Sequence, residues 1–354
     1  PAAAPVDAAT GKVTGRAAGT AEITASVVMG TARKELKTAV TVEEKQPAER
    51  VFYLDFNDGS IGGASAAANA NGSITDYTGA PVFEDGGRTG KAVRLNGYGL
   101  RLNRKNEGAD YTVSLWIKHD GNLSENQQIL FMGSGSPENW LDIAGGRGSG
   151  NAYQIWTRNA TPSSAISGWN YLDESVKQKA GEWTMVTVTG DGTDFAAYFN
   201  GEPAALDGSG KSDATVQNAA NVLNGENQDI YIGVNNWDKI FGGLVDDVAV
   251  YNRDMTAEEV KELYDQQYTE YAAEYCSIWD LSEKLTENLT LPSQAAGNVA
   301  VSWSSSHPAI LSDTGVVARP AADTEVTLTG TFVYGSGRVE KQYKITVAKE
   351  DASA

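Results

Sequence analysis

The segment Phe241–Tyr264, with the sequence FGGLVDDVAVYNRDMTAEEVKELY, constrains the fold of this chain more than any other. Its first half holds a β-branched and aromatic run over Val245–Tyr251, which favours a strand. Thr256 then predicts a helix N-cap, with Glu259 three residues later as its capping-box partner. From Val260 onwards, apolar residues at helical spacing give that helix one apolar face. The segment therefore predicts a core strand followed by a short helix that closes a domain.

Upstream of this segment, the sequence predicts an all-β sandwich. Between positions 51 and 268, strand-like runs recur roughly every ten to fifteen residues, separated by Gly, Asn and Asp turns. Two polar, glycine-rich insertions, Gly133–Gly150 and Arg158–Lys179, interrupt the pattern. The segment Gln46–Arg50, which contains Pro47, predicts a linker on the N-terminal side.

Composition narrows the classes of partner. The 354 residues include 28 basic and 46 acidic side chains, a net charge of −18. Such acidity disfavours nucleic acid and anionic membrane surfaces, and no apolar run approaches the roughly 18 residues of a membrane span. The single Cys276 excludes an intrachain disulfide. We expect a monomeric extracellular protein with a neutral ligand, and we expect the sequence to be an excised piece of a longer chain.

Several motifs in order resemble the laminin-G-like, or concanavalin A-like, domains of secreted bacterial carbohydrate-active enzymes. The resemblance covers residues 51–268 and implies a jelly-roll β-sandwich. Its opening strand would be VFYLDFNDG, and the segment Phe241–Tyr264 matches the closing signature. The other matching motifs are SITDYTG, GRTGKAVRLNGYG, YTVSLWIK, GEWTMVTVTGDGTDFAAYFNGEP and DIYIGVNNW.

Immunoglobulin-like patterns flank the jelly roll on both sides. Residues 1–46, with a turn at Thr10–Gly15 followed by GTAEITA, resemble part of a bacterial Ig-like domain of group 2. A cloning remnant is the alternative for this segment. Residues 269–348, with LTLP, VSWSSSHPAIL and YKITVA, resemble an atypical bacterial Ig-like domain, in which Trp303 would anchor the core. Because Met255–Leu291 lacks Gly and Pro, we expect a helical connector between the two sandwiches.

The laminin-G-like resemblance implies a structural calcium ion where the first and last strands lie side by side. The matching ligand positions are Asp55, Asp76, Asp246 and Asp247. Calcium binds several carboxylate and carbonyl oxygens, and clustered carboxylates without a cation would repel each other. The alternative is that Asp58, Asp76 and Asp247 are solvent-facing turn residues.

Aromatic and amide side chains in predicted loops are candidates for a carbohydrate site, because sugar rings dock on exposed aromatic faces while amides bond their hydroxyls. Trp116 and Trp183 match core positions of the family, and we expect them to be buried. The alternative for each loop ring is that it pins a long loop onto the sandwich. The candidate ligand-binding residues are Trp237, Trp169, Tyr171, Trp140, Trp156, Asn235 and Asn236.

The sequence gives no catalytic signature. Jelly-roll glucanases of this architecture carry an acidic triplet on one strand, which is missing here, and a glycosidase needs two suitably spaced carboxylates. Asp246 and Asp247 are adjacent, so regular alternation would point them to opposite faces. His119 and His307 are expected to be surface residues. No nucleophile elbow, phosphate loop or zinc spacing is found.

These observations predict a non-catalytic carbohydrate-binding and spacer region of a large secreted, possibly wall-attached, bacterial glycoside hydrolase that acts on plant or host glycans. The expected partners are a glycan and the catalytic domain of the same parent chain. A purely structural spacer and an adhesin-like protein-binding module are the alternatives.

Overall fold

The structure is a computed structural model. For residues 158–161 and 164–171 it describes the backbone alone. The described residues are 4–7, 9–11, 13, 18–43, 46–104, 107–121, 126–134, 140–145, 153–161, 164–171, 179–204, 222–225, 228–281 and 283–351.

The first compact unit spans Pro1–Ala48. Its two long strands, β1 (Gly19–Met29) and β2 (Ala32–Val42), form an antiparallel hairpin. Gly30 makes the tight turn between them with φ of 60°, a conformation that glycine adopts without steric cost. The strands are largely exposed, so this hairpin lacks a second sheet within the described residues. That the unit is part of an Ig-like sandwich stays a prediction.

The second compact unit spans Glu49–Ala354 and begins with the jelly roll. Its strands are β3 (Arg50–Leu54), β4 (Ser65–Ala70), β5 (Ser73–Asp76), β6 (Val82–Asp85), β7 (Lys91–Leu95), β8 (Gly99–Arg101), β9 (Asp110–His119), β10 (Gln127–Gly133), β11 (Trp140–Gly145), β12 (Tyr153–Thr161), β13 (Ser164–Tyr171), β14 (Thr184–Asp191), β15 (Phe195–Phe199), β16 (Glu202–Pro203), β17 (Asp229–Ile232) and β18 (Gly243–Tyr251).

These strands form two antiparallel sheets. Sheet A has the order β16-β15-β14-β9-β18-β7-β6, with β3 beside β18, and sheet B has the order β13-β12-β11-β10-β17-β8-β4-β5. The main core lies between them, where residues such as Leu115 and Val248 of sheet A meet Ile143 and Ile230 of sheet B. The pairing of β3 with β18 confirms that the first and last strands are neighbours. The predicted all-β jelly roll is therefore confirmed.

A helix covers the outer face of sheet A. Helix α1 (Ala257–Glu274) begins at the predicted N-cap Thr256, whose side chain accepts from the backbone N–H of Glu259, and the Glu259 side chain completes the capping box. Every residue of β18 is buried, because the core covers one face of the strand and the outer face of sheet A is covered by the helix. Tyr264 of α1 stacks on Trp116, with ring centroids 5.6 Å apart.

The helix ends earlier than the sequence predicts. It stops at Glu274 rather than continuing towards Leu291, although no Gly or Pro intervenes. The reason is tertiary: the Leu285 N–H donates to Thr346 and the Leu289 N–H donates to Gly315, so this segment pairs with the following domain instead of with itself. The connector is thus helical only in its first half.

The C-terminal part is a small three-stranded antiparallel sheet. Its strands are β19 (Ala300–Ser305), β20 (Thr324–Tyr334) and β21 (Gly337–Val347), preceded by a short 3-10 turn at Ala296–Asn298. Trp303 packs on the core of this sheet, as predicted, and its Nε1 donates to the Pro292 carbonyl over 2.8 Å.

The sheet also docks on α1. Asp265 of the helix accepts hydrogen bonds from the N–H and hydroxyl of Ser336 in the β20–β21 turn. Residues 49–354 form one compact unit, so separate domains over 51–268 and 269–348 stay a prediction. None of the helices in the described part of the chain is long and apolar enough to cross a membrane.

Candidate functional site

The outer face of sheet B carries the candidate site, and strand alternation explains how. In β11, Leu141 and Ile143 point into the main core, whereas Trp140 belongs to a separate cluster on the other side. Because successive side chains of a strand alternate between faces, Asp142 shares the outer face with Trp140. One strand therefore supplies both an aromatic ring and a carboxylate.

Strand register extends this face across the sheet. Asp142 of β11 lies opposite Trp156 of β12 on one side and opposite Phe131 of β10 on the other. Phe131 also lies opposite Tyr231 of β17. Phe131 is fully buried, and its ring centroid lies 5.8 Å from that of Tyr231. The result is a row of aromatic side chains across four strands, broken by one carboxylate.

A loop adds a third tryptophan to this row. The Asn235 side-chain oxygen accepts from the backbone N–H groups of Trp237 and Asp238, which makes a tight turn after β17. The turn places the Trp237 ring 5.8 Å from Trp140 and edge-on to Phe131. Trp237 remains 45% exposed, so one side of its ring faces solvent.

A cavity of about 200 Å³ opens between these groups. Among the described residues, its lining consists of three tryptophans and two acidic residues. They are Trp140, Trp156, Trp237, Asp142 and Asp238.

Amide side chains hold the two carboxylates in place. Asp142, 2% exposed, accepts from Gln128 Nε2 through Oδ1 and from Asn235 Nδ2 through Oδ2, the latter over 3.3 Å. The same Asn235 nitrogen donates to Asp238 Oδ2 over 2.7 Å. Burial, followed by the nearby Asp238, raises the pKa of Asp142 to about 8 despite these donors. Burial also raises the pKa of Asp238.

The structure brings together some of the predicted ligand-binding residues. Trp140, Trp156 and Trp237 meet at the cavity, but Trp140 is only 6% exposed and forms its floor rather than a loop contact. Asn235 is fully buried and supports the carboxylates, so it is not positioned to touch a ligand. Asn236 donates to the Gly72 carbonyl over 3.3 Å, which ties its loop to the β4–β5 turn.

Trp169 and Tyr171 lie in strand β13, not in a loop insertion as predicted. Their backbones pair with Trp156 and Gln154 of β12, which makes β13 an edge strand of sheet B. Their side chains lie outside the described part of the chain. The predicted insertions thus contain strand β11, the end of β12 and strand β13 of sheet B.

Sequence reasoning missed Asp142, Asp238 and the buried Phe131. One signal could have found Asp142. In WLDIAG, apolar Leu141 and Ile143 alternate with Trp140 and Asp142, which places the last two on one face. Asp238 gives no such signal, because its position depends on how the loop folds back over the sheet.

One of the four predicted calcium ligands lies apart from the others. Asp76 is exposed on β5, an edge strand of sheet B, whereas Asp246 and Asp247 are buried in β18 of sheet A. Asp55 is half-buried and accepts from the Asn57 N–H over 3.1 Å. Among the described residues, no three His, Cys, Asp or Glu side chains form a group that could hold a metal. Asp76 therefore does not share a site with the other three, and the structural calcium ion stays a prediction.

An arginine side chain lies beside the acidic pair of β18. Arg88 is 1% exposed, its guanidinium carbon lies 3.5 Å from the centroid of Trp116, and its Nη2 donates to the Gln267 carbonyl over 2.5 Å. Its backbone N–H donates to Asp246 over 2.6 Å, while Tyr53 donates to Asp247. Burial lowers the pKa of Arg88 to about 10, and the two aspartates oppose that shift.

Two further expectations are wrong. Asp246 and Asp247 do not follow regular alternation, because a β-bulge interrupts β18 here and Asp247 adopts φ of 48°, so both are buried and both act on the charge of Arg88. His119 is 1% exposed rather than at the surface, since it ends the buried strand β9. His307 is exposed, as expected.

The family comparison agrees with this architecture. Residues 85–261, half of the chain, match the family described as the concanavalin A-like lectin/glucanases superfamily. The chain belongs to this superfamily. Downstream of this concanavalin A-like domain, residues 270–350 match the atrophied bacterial Ig domain, which confirms the second predicted resemblance. No curated protein sequence matches the chain.

Among solved structures, the concanavalin A-like chain is similar to domain 4 of AbnA, an extracellular GH43 arabinanase from Geobacillus stearothermophilus, in complex with arabinotriose. The identity is 25%, the TM-score 0.47, and the match covers 62% of this chain and 100% of that one. The CBM40 of a Ruminococcus gnavus IT-sialidase, bound to α2,3 sialyllactose, matches with 13% identity and a TM-score of 0.38 over 52% of this chain and 98% of that one. A SAP-like pentraxin from Limulus polyphemus matches with 17% identity and a TM-score of 0.33 over 58% and 83%.

Proposed function

We propose that the concanavalin A-like domain binds a carbohydrate at the cavity on the outer face of sheet B. One observation carries this proposal: Trp140, Trp156 and Trp237 bound the same cavity as the carboxylates of Asp142 and Asp238. Aromatic rings offer flat apolar surfaces for the C–H faces of a sugar, and fixed polar groups set its orientation. The exposed Trp237 is the ring most accessible to such a ligand.

The positions of the two carboxylates favour binding of a carbohydrate without hydrolysis. A glycosidase needs a proton donor and a second carboxylate on either side of the scissile bond. Here Asp142 is buried and both of its oxygens already accept hydrogen bonds from amides, so neither oxygen is free to act on a scissile bond. We expect incubation with arabinan, xylan or galactan to release no reducing sugar above the buffer control. Turnover that Asp142→Asn or Asp238→Asn abolishes would contradict this assignment.

The binding proposal is tested by titration calorimetry with arabino- and galacto-oligosaccharides. We expect Trp237→Ala to weaken binding by about 1–3 kcal/mol, the range for loss of an aromatic anchor. The matched control is Trp183→Ala, which removes a half-buried tryptophan with Lys118 Nζ 5.1 Å from its ring centroid and should leave affinity unchanged. If both variants bind like the wild type, the cavity is not the site.

A spacer role is the second candidate, and the docking of the Ig-like sheet on α1 favours it. Asp265 bonds Ser336 across this contact, and Lys341 Nζ donates to the Ala273 and Glu274 carbonyls at the end of the helix. These bonds would hold the Ig-like part at one angle to the jelly roll. If no oligosaccharide binds the wild type, the spacer function remains and the cavity rings serve packing alone.

The parent protein is also part of the proposal. We propose a secreted, possibly wall-attached, glycoside hydrolase in which this monomeric region accompanies a catalytic domain; the acidic composition is compatible with that setting. A glycan array run beside a protein pull-down separates a carbohydrate-binding region from an adhesin-like one. A structural calcium ion is tested by melting with and without chelator, and an unchanged melting temperature would remove it from the account.

A further inference from the structure

We infer that the cavity selects uncharged sugars against acidic ones, and that Asp238 is the residue that sets this selectivity. This inference rests on the proposed function. Its first observation is the charge of the lining that the structure describes, in which the two polar residues are both carboxylic acids and the other three are tryptophans. Lys239 follows in the loop, but it is exposed and does not line the cavity. Among the described lining residues, a ligand therefore meets carboxylate acceptors and tryptophan rings but no cation.

The second observation is that Asp238 is held in place. Its backbone N–H donates to Asn235 Oδ1 over 2.7 Å, its carbonyl accepts from Asn69 Nδ2 over 2.7 Å, and its Oδ2 accepts from Asn235 Nδ2 over 2.7 Å. Because the backbone and one carboxylate oxygen are fixed, the side chain cannot swing into solvent to avoid a bound anion. Oδ1 has no donor among the described residues and remains able to accept from a ligand.

The third observation is the different position of Asp142. It is 2% exposed, and its two oxygens accept from Gln128 and Asn235. Asp142 therefore supports Asp238 without offering a free oxygen of its own. Through the shared Asn235 amide, it also fixes the orientation of the group that holds Asp238.

The chemistry of the ligand follows from these three observations. A hydroxyl group donates to a carboxylate, so a sugar with a hydroxyl next to an apolar ring face matches Asp238 beside the tryptophans. A uronate or sialate would bring a second negative charge next to the Asp238 carboxylate. The selectivity arises from repulsion of the wrong ligand as well as from attraction of the right one.

The test compares sugars that differ only in charge. Titration calorimetry measures galacto-oligosaccharides against galacturonate oligosaccharides of the same length, with arabino- and sialyl-oligosaccharides as further neutral and acidic probes. We expect the wild type to bind its best neutral probe at least tenfold more tightly than any acidic one. Asp238→Asn, which keeps an acceptor oxygen towards Asn235, should reduce that ratio at least threefold. Raising the salt concentration should also reduce it, because screening weakens the repulsion.

Controls separate charge from fold. Glu325→Gln removes one negative charge from an exposed position on β20 and should leave the ratio unchanged. Trp237→Ala should weaken neutral and acidic probes alike. A thermal melt of each variant identifies loss of fold, and the wild-type ratio with its salt dependence then stands as the independent readout.

The outcomes distinguish the two proposals. If no sugar of either kind binds, the proposed function fails and the selectivity fails with it. If acidic sugars bind as tightly as neutral ones, the selectivity is wrong while the carbohydrate site stands. If the wild type is selective but Asp238→Asn keeps the full ratio, the assignment to Asp238 is overturned.

Discussion

The two outer faces of the jelly roll are built from similar residues, but one is covered by protein and the other is open to solvent. On sheet A, Trp116 and Asp246 lie beneath α1, with Arg88 between them. On sheet B, Trp140 and Asp142 lie beside a cavity that opens to solvent. Burial raises the pKa of Asp142 and of Asp246 alike, to about 8 in each case. The residue types alone therefore do not decide which face binds a ligand.

The two faces differ in the groups that cover them. Sheet A has a cation, a helix and the Ig-like turn, so its ring and carboxylates are satisfied within the protein. Sheet B has amides that hold its carboxylates and a loop that leaves the Trp237 ring 45% exposed. On the proposed function, sheet B is the binding face because a loop leaves its cavity open, whereas a helix covers sheet A.

The largest expected effect is on the covered face. Trp116 is fully buried, its Nε1 donates to Gln267 over 2.7 Å, and its ring lies between Arg88 and Tyr264. Trp116→Ala should therefore lower the free energy of unfolding by about 3–5 kcal/mol, the usual cost of truncating a buried aromatic. Urea denaturation measures this, with Trp237→Ala as the control that should change stability by less than about 1 kcal/mol. Equal losses in both variants would erase the contrast between the faces.

The next effect concerns the turn between β20 and β21, which docks on α1 over sheet A. Gly335 has φ of 55°, and a Cβ added there would lie 2.1 Å from Asp265 Oδ2. Gly335→Ala should cost about 2–3 kcal/mol, from the left-handed backbone and the lost docking together. Gly86 has φ of 86° with nothing within 4 Å, so Gly86→Ala isolates the backbone contribution. A similar loss in both variants would show that the turn contributes nothing to docking.

The last effect concerns the open face and is spread over several pH units, because it is a pH dependence of stability. The folded-state pKa of Asp142 lies near 8, above its usual value of 3.8, so the folded protein binds the proton more tightly than the unfolded chain. Its contribution to stability is therefore full below about pH 4 and is lost as the pH rises towards 8, by at most about 1.4 kcal/mol per pH unit. Asp142→Asn should flatten this slope in denaturation curves recorded across that range. A variant with the wild-type slope would show that Asp142 ionises normally.

The sequence predicts the fold better than the site, for physical reasons. The capping box at Thr256 and Glu259 and the pairing of the first and last strands depend on local chemistry and on a family pattern, and both are confirmed. The end of α1 could not be predicted, because Leu285 and Leu289 exchange helical bonds for tertiary ones.

The site was only half predictable for a similar reason. Trp237 follows two asparagines, and the tight turn at Asn235 leaves its ring exposed, which loop chemistry can suggest. The burial of Trp140 depends on Phe131 and on the loop that folds over both, so no local pattern shows it. The same limit applies to Asp76, whose motif matched the family while its strand joined the other sheet.

The most direct test of the central claim observes all the tryptophans at once. The chain has eight, so a ¹H–¹⁵N spectrum should contain eight indole signals, assignable by substitution. On addition of the best neutral oligosaccharide, we expect the indole signals of Trp237 and Trp156 to shift most, with Trp140 next, while Trp116 and Trp303 stay in place. Shifts confined to Trp116, Trp183 or Trp303 would put the ligand elsewhere and contradict the account.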